Sequence, residues 1–289
     1  MPHPAPDSET PLPPGLYIVA TPIGNLGDIS ARAIDILRRA DAVICEDSRV
    51  TAKLMRHVGA SRPLVAFHDH SPRRLCDALV ARLGREALAL VTDAGTPLVS
   101  DPGHELVSGA LAAGHVVTTA PGPCAAIAAL SIAGLPASQF FFAGFLPARA
   151  SARRQAIAAL AAVPGTLVFH ESGPRLAATL AALLDGLGDR QAAIARELTK
   201  LHEEVVREQL SALARRHAGA PAPRGEIVVL VGPRDSDAGA SPDEVDAALR
   251  RALSTMPPGR AAASVAAAFG LRRADLYARA LALAQGEAP

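Results

Sequence analysis

The chain contains no tryptophan, and aromatic residues make up only 3% of its 289 positions. An extended platform of rings for gripping single-stranded nucleic acid is therefore excluded as its main device. Net charge is only +1, so any nucleic-acid site must be a local patch rather than a field spread over the whole molecule. Cysteine is scarce as well. Cys45, Cys76 and Cys124 are odd in number, scattered, and lack C-x-x-C spacing. They read as free thiols in a reducing cytoplasm, not as a disulfide framework or a zinc site. No H-x-x-x-H pair, carboxylate trio at metal spacing or G-x-S-x-G elbow occurs, so no metal is expected. Long apolar runs are also missing. The longest, Cys124 to Leu146, is broken by Pro136, Ser138 and Gln139 and is too interrupted to span a bilayer. Residues 1–14 are Pro-rich with Asp7 and Glu9, and they lack the basic and apolar regions of a signal peptide. They are expected to form a flexible tail.

What is present is an Ala-, Leu- and Val-rich globular composition, 49% hydrophobic and 20% charged, long enough for two domains. The densest stretch is Val91 to Asp101, V-T-D-A-G-T-P-L-V-S-D, followed by Pro102-Gly103. An apolar run, Ala87 to Val91, leads into it, and helical spacing at Leu106, Val107, Ala110 and Leu111 follows. Such a strand–loop–helix junction is where open α/β sheets bind ligands, although the same residue types also make ordinary turns and caps. Around it the chain alternates strand and helix. Strands are expected at 16–21, 42–45, 64–67, 88–92 and 115–120, with helices between them. This rhythm predicts a mostly parallel sheet with right-handed crossovers. Pro121-Gly122-Pro123 marks a boundary. A second α/β series follows, with strands at 140–145, 166–170, 191–197, 202–208 and 226–231. The expected domains are 15–121 and 122–233, then a polar linker, then a helical module over 242–286. That module has a helix-turn-helix-like break at Phe269-Gly270-Leu271, and six arginines face one acid between Arg250 and Arg279.

Several segments carry chemistry-bearing residues. Gly24-x-x-Gly27 follows the first strand, with Asp47 about 20 residues on, as in a dinucleotide fold. The glycine pattern is incomplete, however, and a tight turn explains it equally well. Glu46-Asp47-Ser48-Arg49 ends the second strand; Arg49 can meet a phosphate or simply hold Asp47. Asp69 between His68 and His70 reads as a metal or acid–base cluster or, as strand alternation favours, a surface pair. Ala195 to Glu204, A-R-E-L-T-K-L-H-E-E, offers Lys200 with Glu203 or Glu204, or else a charged hairpin tip.

Taken together, T-P-I-G-N-L-G-D, E-D-S-R, F-H-D-H, D-A-G-T-P-L-V-S-D-P-G, P-G-P-C-A and A-R-E-L-T-K-L-H-E-E resemble, in the same order, the ribosomal RNA small-subunit methyltransferase I family. That family belongs to the tetrapyrrole-methylase class of S-adenosylmethionine enzymes. The resemblance covers about Gly15 to Gly232, and the C-terminal helices look like that family's small domain. It implies two α/β domains with the cofactor in the cleft between them, a homodimer, and cytoplasmic 2′-O-methylation of a cytidine in the decoding region of small-subunit rRNA. Carried over by motif, Pro22, Gly24, Gly27, Asp93, Gly95, Thr96, Ser100, Asp101, Pro121 and Gly122 would meet S-adenosylmethionine. Glu46, Asp47, Lys200 and Glu203 are candidate catalytic residues, Lys200 as a base only with a lowered pKa. Arg49, Arg175, Arg250, Arg251, Arg272 and Arg273 are candidate RNA contacts. The segment Glu171-Ser172-Gly173-Pro174-Arg175 departs from the family pattern, since Pro174 stands where a His commonly precedes the Arg. Rival functions are a small-molecule tetrapyrrole methylase, an NAD-dependent oxidoreductase and a non-catalytic rRNA-binding assembly factor.

Overall fold

The computed structural model describes residues 10–68, 71–234, 242–269 and 271–284. Asp69 and His70, most of the expected tail and most of the expected linker lie outside the described residues. The chain forms two compact units, one ending at Gly232 and one beginning at Pro233.

The first unit opens with β1 (Gly15–Val19), α1 (Ala31–Arg39), β2 (Ala42–Cys45), α2 (Ser48–His57), β3 (Leu64–Ala66), α3 (Arg73–Arg82), β4 (Ala87–Leu90), α4 (His104–Ala112) and β5 (Val117–Ala120). The strands form one parallel sheet in the order β3-β2-β4-β1-β5. Local chemistry sets the helix starts. The Ser30 hydroxyl accepts from Ala33 N at 3.1 Å, and Asp47 Oδ1 accepts from Arg49 N at 2.8 Å. Strand alternation then divides the core into two faces. Tyr17, Val19, Val43 and Ala89 pack against Ile36 and Leu37 of α1 and Leu54 of α2. Leu16, Ile18, Ile44 and Leu88 pack against Leu79 of α3 and Leu106 of α4.

A second lobe follows, with α5 (Ala125–Ile132), β6 (Phe140–Phe145), α6 (Ala150–Leu160), β7 (Thr166–Ser172), α7 (Gly173–Leu187), β8 (Gln191–Arg196), β9 (Glu204–Gln209), α8 (Leu210–His217) and β10 (Glu226–Val231). Its sheet order is β6-β7-β10-β8-β9, and only β6 and β7 pair in parallel. This second α/β series is therefore mostly antiparallel. The α6 crossover permits the one parallel pair, whereas the short 197–203 connection closes β8 and β9 as a hairpin. Helix α8 is absent from the sequence reading because it starts directly at the end of β9, with no breaker between them. Helix α5 packs Ala126, Ala129 and Leu130 on Val168, Ala193 and Val228 of the second sheet.

The second unit holds α9 (Pro242–Leu253), α10 (Pro258–Phe269) and α11 (Arg273–Ala284). Val245, Leu249, Val265 and Leu276 fill its small core, and Arg279 pairs with the buried Asp246. Arg279 thus works inside the bundle. No helix among the described residues is long and apolar enough to cross a membrane.

Candidate functional site

β1 and β4 are neighbours in the first sheet, yet the helices that follow them cover opposite faces. Their carboxyl ends therefore diverge into a crevice, the usual place for a ligand in such sheets. Two loops meet there. Thr21 N donates to Gly95 O at 2.8 Å, Gly95 N to Thr21 O at 3.1 Å, and the Thr21 hydroxyl to Thr92 O at 3.0 Å. The loop after β4 is strained. Gly95 has φ 87°, Leu98 72° and Ser100 68°. Left-handed backbone at two non-glycine residues costs of the order of 1–3 kcal/mol each and typically accompanies ligand sites. The hairpin loop after β8 repeats the pattern, with Glu197 at 51° and Thr199 at 64°.

Between these loops lies a cavity of about 240 Å³. The first lobe contributes Ile23, Gly95, Thr96, Ser100 and Asp101; the second contributes His170 and Glu171 from β7, Ala195 and Leu198 at β8, and Glu226 to Val228 from β10. The Thr96 hydroxyl donates to Pro123 O at 3.0 Å, tying the strained loop to the chain that enters the second lobe. Four of the expected cofactor residues, Gly95, Thr96, Ser100 and Asp101, thus line the cavity. Pro22, Gly24, Gly27, Asp93, Pro121 and Gly122 stand outside its lining. Asp93 Oδ1 accepts from Asp47 N at 3.2 Å. A Cβ on Gly24 would lie 2.5 Å from the Lys200 side chain, and one on Gly122 would lie 3.0 Å from Ala20 Cβ. Both glycines allow close approach.

The polar residues expected to act chemically are mostly engaged. Burial alone would lower the Lys200 pKa, but hydrogen bonds with Glu197 at 2.9 Å and Glu226 at 3.1 Å outweigh it and raise it. The lowered pKa on which a base role for Lys200 depends is therefore not seen. Asp47 pairs with Arg49, whose hydrogen bonds bring its pKa down to about 2. It remains an anionic cap and a weak proton acceptor. Glu203 Oε2 accepts from Thr199 N at 2.6 Å and holds the hairpin loop. Glu46 is exposed at the end of β2. Arg175 is already engaged within the second lobe. It turns inward to Leu146 O and lies 3.4 Å from Glu171, leaving its side chain 29% exposed. Arg49, by contrast, is 88% exposed. Arg250, Arg251, Arg272 and Arg273 lie exposed on the second unit, with Arg272 paired to Asp275 at 2.9 Å.

His170 was not legible as a site residue. Its ring stands edge-on to Phe142 and Phe145, at centroid distances of 5.0 and 5.4 Å, and its buried Nε2 has no hydrogen-bond partner. Burial lowers its pKa, against the opposing pull of Glu226. A folded pKa below the unfolded one means that acid favours the unfolded chain. Stability linked to His170 is intact above about pH 6.5 and falls as pH drops through and below that value. His170→Phe should therefore flatten the decline in Tm between pH 7 and pH 5, and parallel declines for the two proteins would remove this role.

The comparisons with known proteins agree with this geometry. The family model "Tetrapyrrole (Corrin/Porphyrin) Methylases" matches residues 15–214, and "RsmI C-terminal HTH domain" matches 239–284. The ribosomal RNA small subunit methyltransferase I of Erythrobacter litoralis is 54% identical, covering 96% of this chain and 98% of its own. The chain belongs to the ribosomal RNA small subunit methyltransferase I family. The Escherichia coli O157:H7 member is 41% identical, over 92% of this chain and 94% of its own. Among solved structures, uroporphyrin-III C-methyl transferase from Thermus thermophilus, complexed with S-adenosyl homocysteine, superposes with TM-score 0.52 at 23% identity. The match covers 75% of this chain and 97% of that one. A cobalt precorrin-4 methyltransferase gives TM-score 0.57 at 17% identity, covering 75% of this chain and 94% of its own. At these identities the likeness establishes the fold, which is the two-lobed tetrapyrrole-methylase architecture.

Proposed function

We propose that this protein transfers the methyl group of S-adenosylmethionine to the ribose 2′-oxygen of a cytidine in the decoding region of small-subunit rRNA, with the donor seated in the cavity between the lobes. The observation that carries this reading is the cavity itself, set at the β1/β4 crevice and walled by both lobes. Its lining suits the donor. Ile23, Ala195, Leu198 and Ile227 offer apolar walls for a nucleoside, while Glu171 and Glu226 offer carboxylates for a sulfonium and an amino group. When bound, the donor supplies an already activated methyl group. The residues of the chain then have three tasks. The apolar wall excludes water, the Thr21–Gly95 bridge fixes the floor, and a carboxylate accepts the hydroxyl proton. Glu46 and Glu203 are the acceptors to test. In single-turnover methylation the true acceptor should lose about 10²-fold or more as Gln, and the other little.

Gly95→Val should weaken S-adenosyl homocysteine binding at least tenfold by calorimetry. A β-branched side chain at φ 87° is strained by about 1–2 kcal/mol and would disturb both backbone bonds to Thr21. Unchanged affinity would remove the loop from the site. The exposed arginines of α9 and α11 suit RNA phosphates, and a second copy of the chain suits the exposed Leu111, Val116, Phe140 and Phe141. Light scattering should give twice 29.7 kDa. Ribosomal subunits as substrate place the activity in the cytoplasm. Labelled methyl transfer to small subunits lacking ribose methylation tests the whole reading. Label on one alkali-resistant cytidine ribose supports it. Donor binding without label on subunits or naked rRNA would point instead to a small-molecule tetrapyrrole methylase.

A further inference from the structure

From Leu106 to His170 the sequence contains no Asp or Glu, although 28 acids serve the 289 residues. The only arginines in this stretch are Arg149, Arg153 and Arg154, gathered at the start of α6. That placement is electrostatically unfavourable within the fold. Cations at a helix N-terminus face the positive end of its dipole, and the first turn of α6 carries no acid to relieve them. Several arginines elsewhere have acidic partners: Arg39 with Asp35, Arg82 with Glu86, Arg196 with Glu204. None of the three on α6 forms an ion pair with a described residue. Arg149 and Arg154 are exposed, and Arg153 Nε is buried without a partner. Arg149 and Arg153 stand one helical turn apart and share a face. Four residues before Arg149 comes Phe145, which is 56% exposed and also lines the cavity. The basic helix start thus follows, four residues along the chain, an exposed ring that lines the cavity.

We propose that Phe145, Arg149, Arg153 and Arg154 form the surface on which the RNA strand carrying the target ribose lies. The guanidinium groups take successive phosphates, and the Phe145 ring takes a base beside the cavity. Charge complementarity is the argument. The fold supplies no counter-charge to these arginines, and a phosphate backbone supplies several. The aromatic edge at the mouth matches the way unpaired bases are held for reaction at the ribose. This surface rests on the reading of RNA as substrate and specifies where that substrate runs. It adds a contact in the methylase unit to those proposed for the C-terminal helices.

The test uses the full chain with R149Q/R154Q and R149E/R154E substitutions and a small-subunit rRNA fragment. Affinity for S-adenosyl homocysteine should remain that of the wild type. The Tm should be unchanged or higher, because the dipole is relieved. RNA affinity should fall at least tenfold for the Gln pair and further for the Glu pair. The slope of log K against log salt should become shallower by roughly 0.7–0.9 per arginine removed. In methylation, KM for RNA should rise while kcat holds. Wild-type RNA affinity and salt slope in both variants would overturn the proposal. So would loss of the dimer with RNA affinity intact, which would assign the face to a second copy of the chain. Failure of the wild-type protein itself to bind or methylate rRNA would instead bring down the underlying reading.

Discussion

Alanine at position 173 should unfold this protein at markedly lower temperature. Gly173 is the first residue of α7, and its α-carbon sits against the backbone before β10. An added Cβ would lie 1.7 Å from Pro223 O and 2.9 Å from Pro223 C. Neither atom is the tip of a flexible side chain, so α7 or the Pro223 segment must move. Helix α7 cannot move cheaply. Its Leu176, Leu180 and Leu183 are fully buried in one cluster with Phe169 and Ile157. Overpacking against such a core costs about 3 kcal/mol or more. For a unit of this size that corresponds to a fall in Tm of roughly 6–12 °C. Gly114→Ala is the control. Gly114 has φ 76° but nothing within 4 Å of the added carbon, so only a backbone cost of about 1 kcal/mol is expected. Equal melting of the two variants by calorimetry would show that the close approach at Pro223 does not exist in solution.

Glu171→Ala should be as damaging, for an electrostatic reason. The Glu171 side chain is wholly buried. Its oxygens accept from Ser172 N at 2.8 Å and the Thr179 hydroxyl at 2.5 Å, with Arg175 at 3.4 Å. Removing it strands the buried Thr179 hydroxyl and takes the counter-charge from a partly buried guanidinium, which costs about 3 kcal/mol. Glu171→Gln keeps the shape and much of the hydrogen bonding, so its loss should be smaller. Because Glu171 also lines the cavity, the Gln variant separates stability from binding. It should weaken the cationic S-adenosylmethionine more than the neutral S-adenosyl homocysteine. Equal weakening of both would remove the carboxylate as a counter-charge.

Much of the first lobe is legible in the sequence because short apolar runs alternate with capped amphipathic segments. The strand Ala42–Cys45 follows directly from residue type. The loop after β4 is equally readable. Its Gly, Pro and hydroxyl density marks the place where four of the expected cofactor residues line the cavity. The other wall is harder. His170, Ala195 and Val228 sit in ordinary apolar strands, and nothing local distinguishes a strand end facing a ligand from one facing solvent. Lys200 shows a further limit. Its sequence neighbours suggest a charged loop, but Glu197 and, from another strand, Glu226 together raise its pKa, and the second of these cannot be read from the local sequence. Arg175 is similar, since its inward turn depends on Leu146 O and Glu171. Pairing direction in the second sheet was partly available from the short connection between β8 and β9, which leaves no room for a crossover.

That the cavity between the lobes holds the methyl donor is the claim on which the rest depends, and the wild-type protein can test it. Cys45 and Cys76 are buried, whereas Cys124 is partly accessible and lines the cavity. The measurement is the rate of Cys124 alkylation, read by peptide mass, with and without saturating S-adenosyl homocysteine. Occupancy of the cavity predicts at least tenfold slower modification of Cys124, with Cys45 and Cys76 unreactive throughout. Calorimetric binding of the ligand with no change in Cys124 alkylation would place the donor elsewhere and contradict the account.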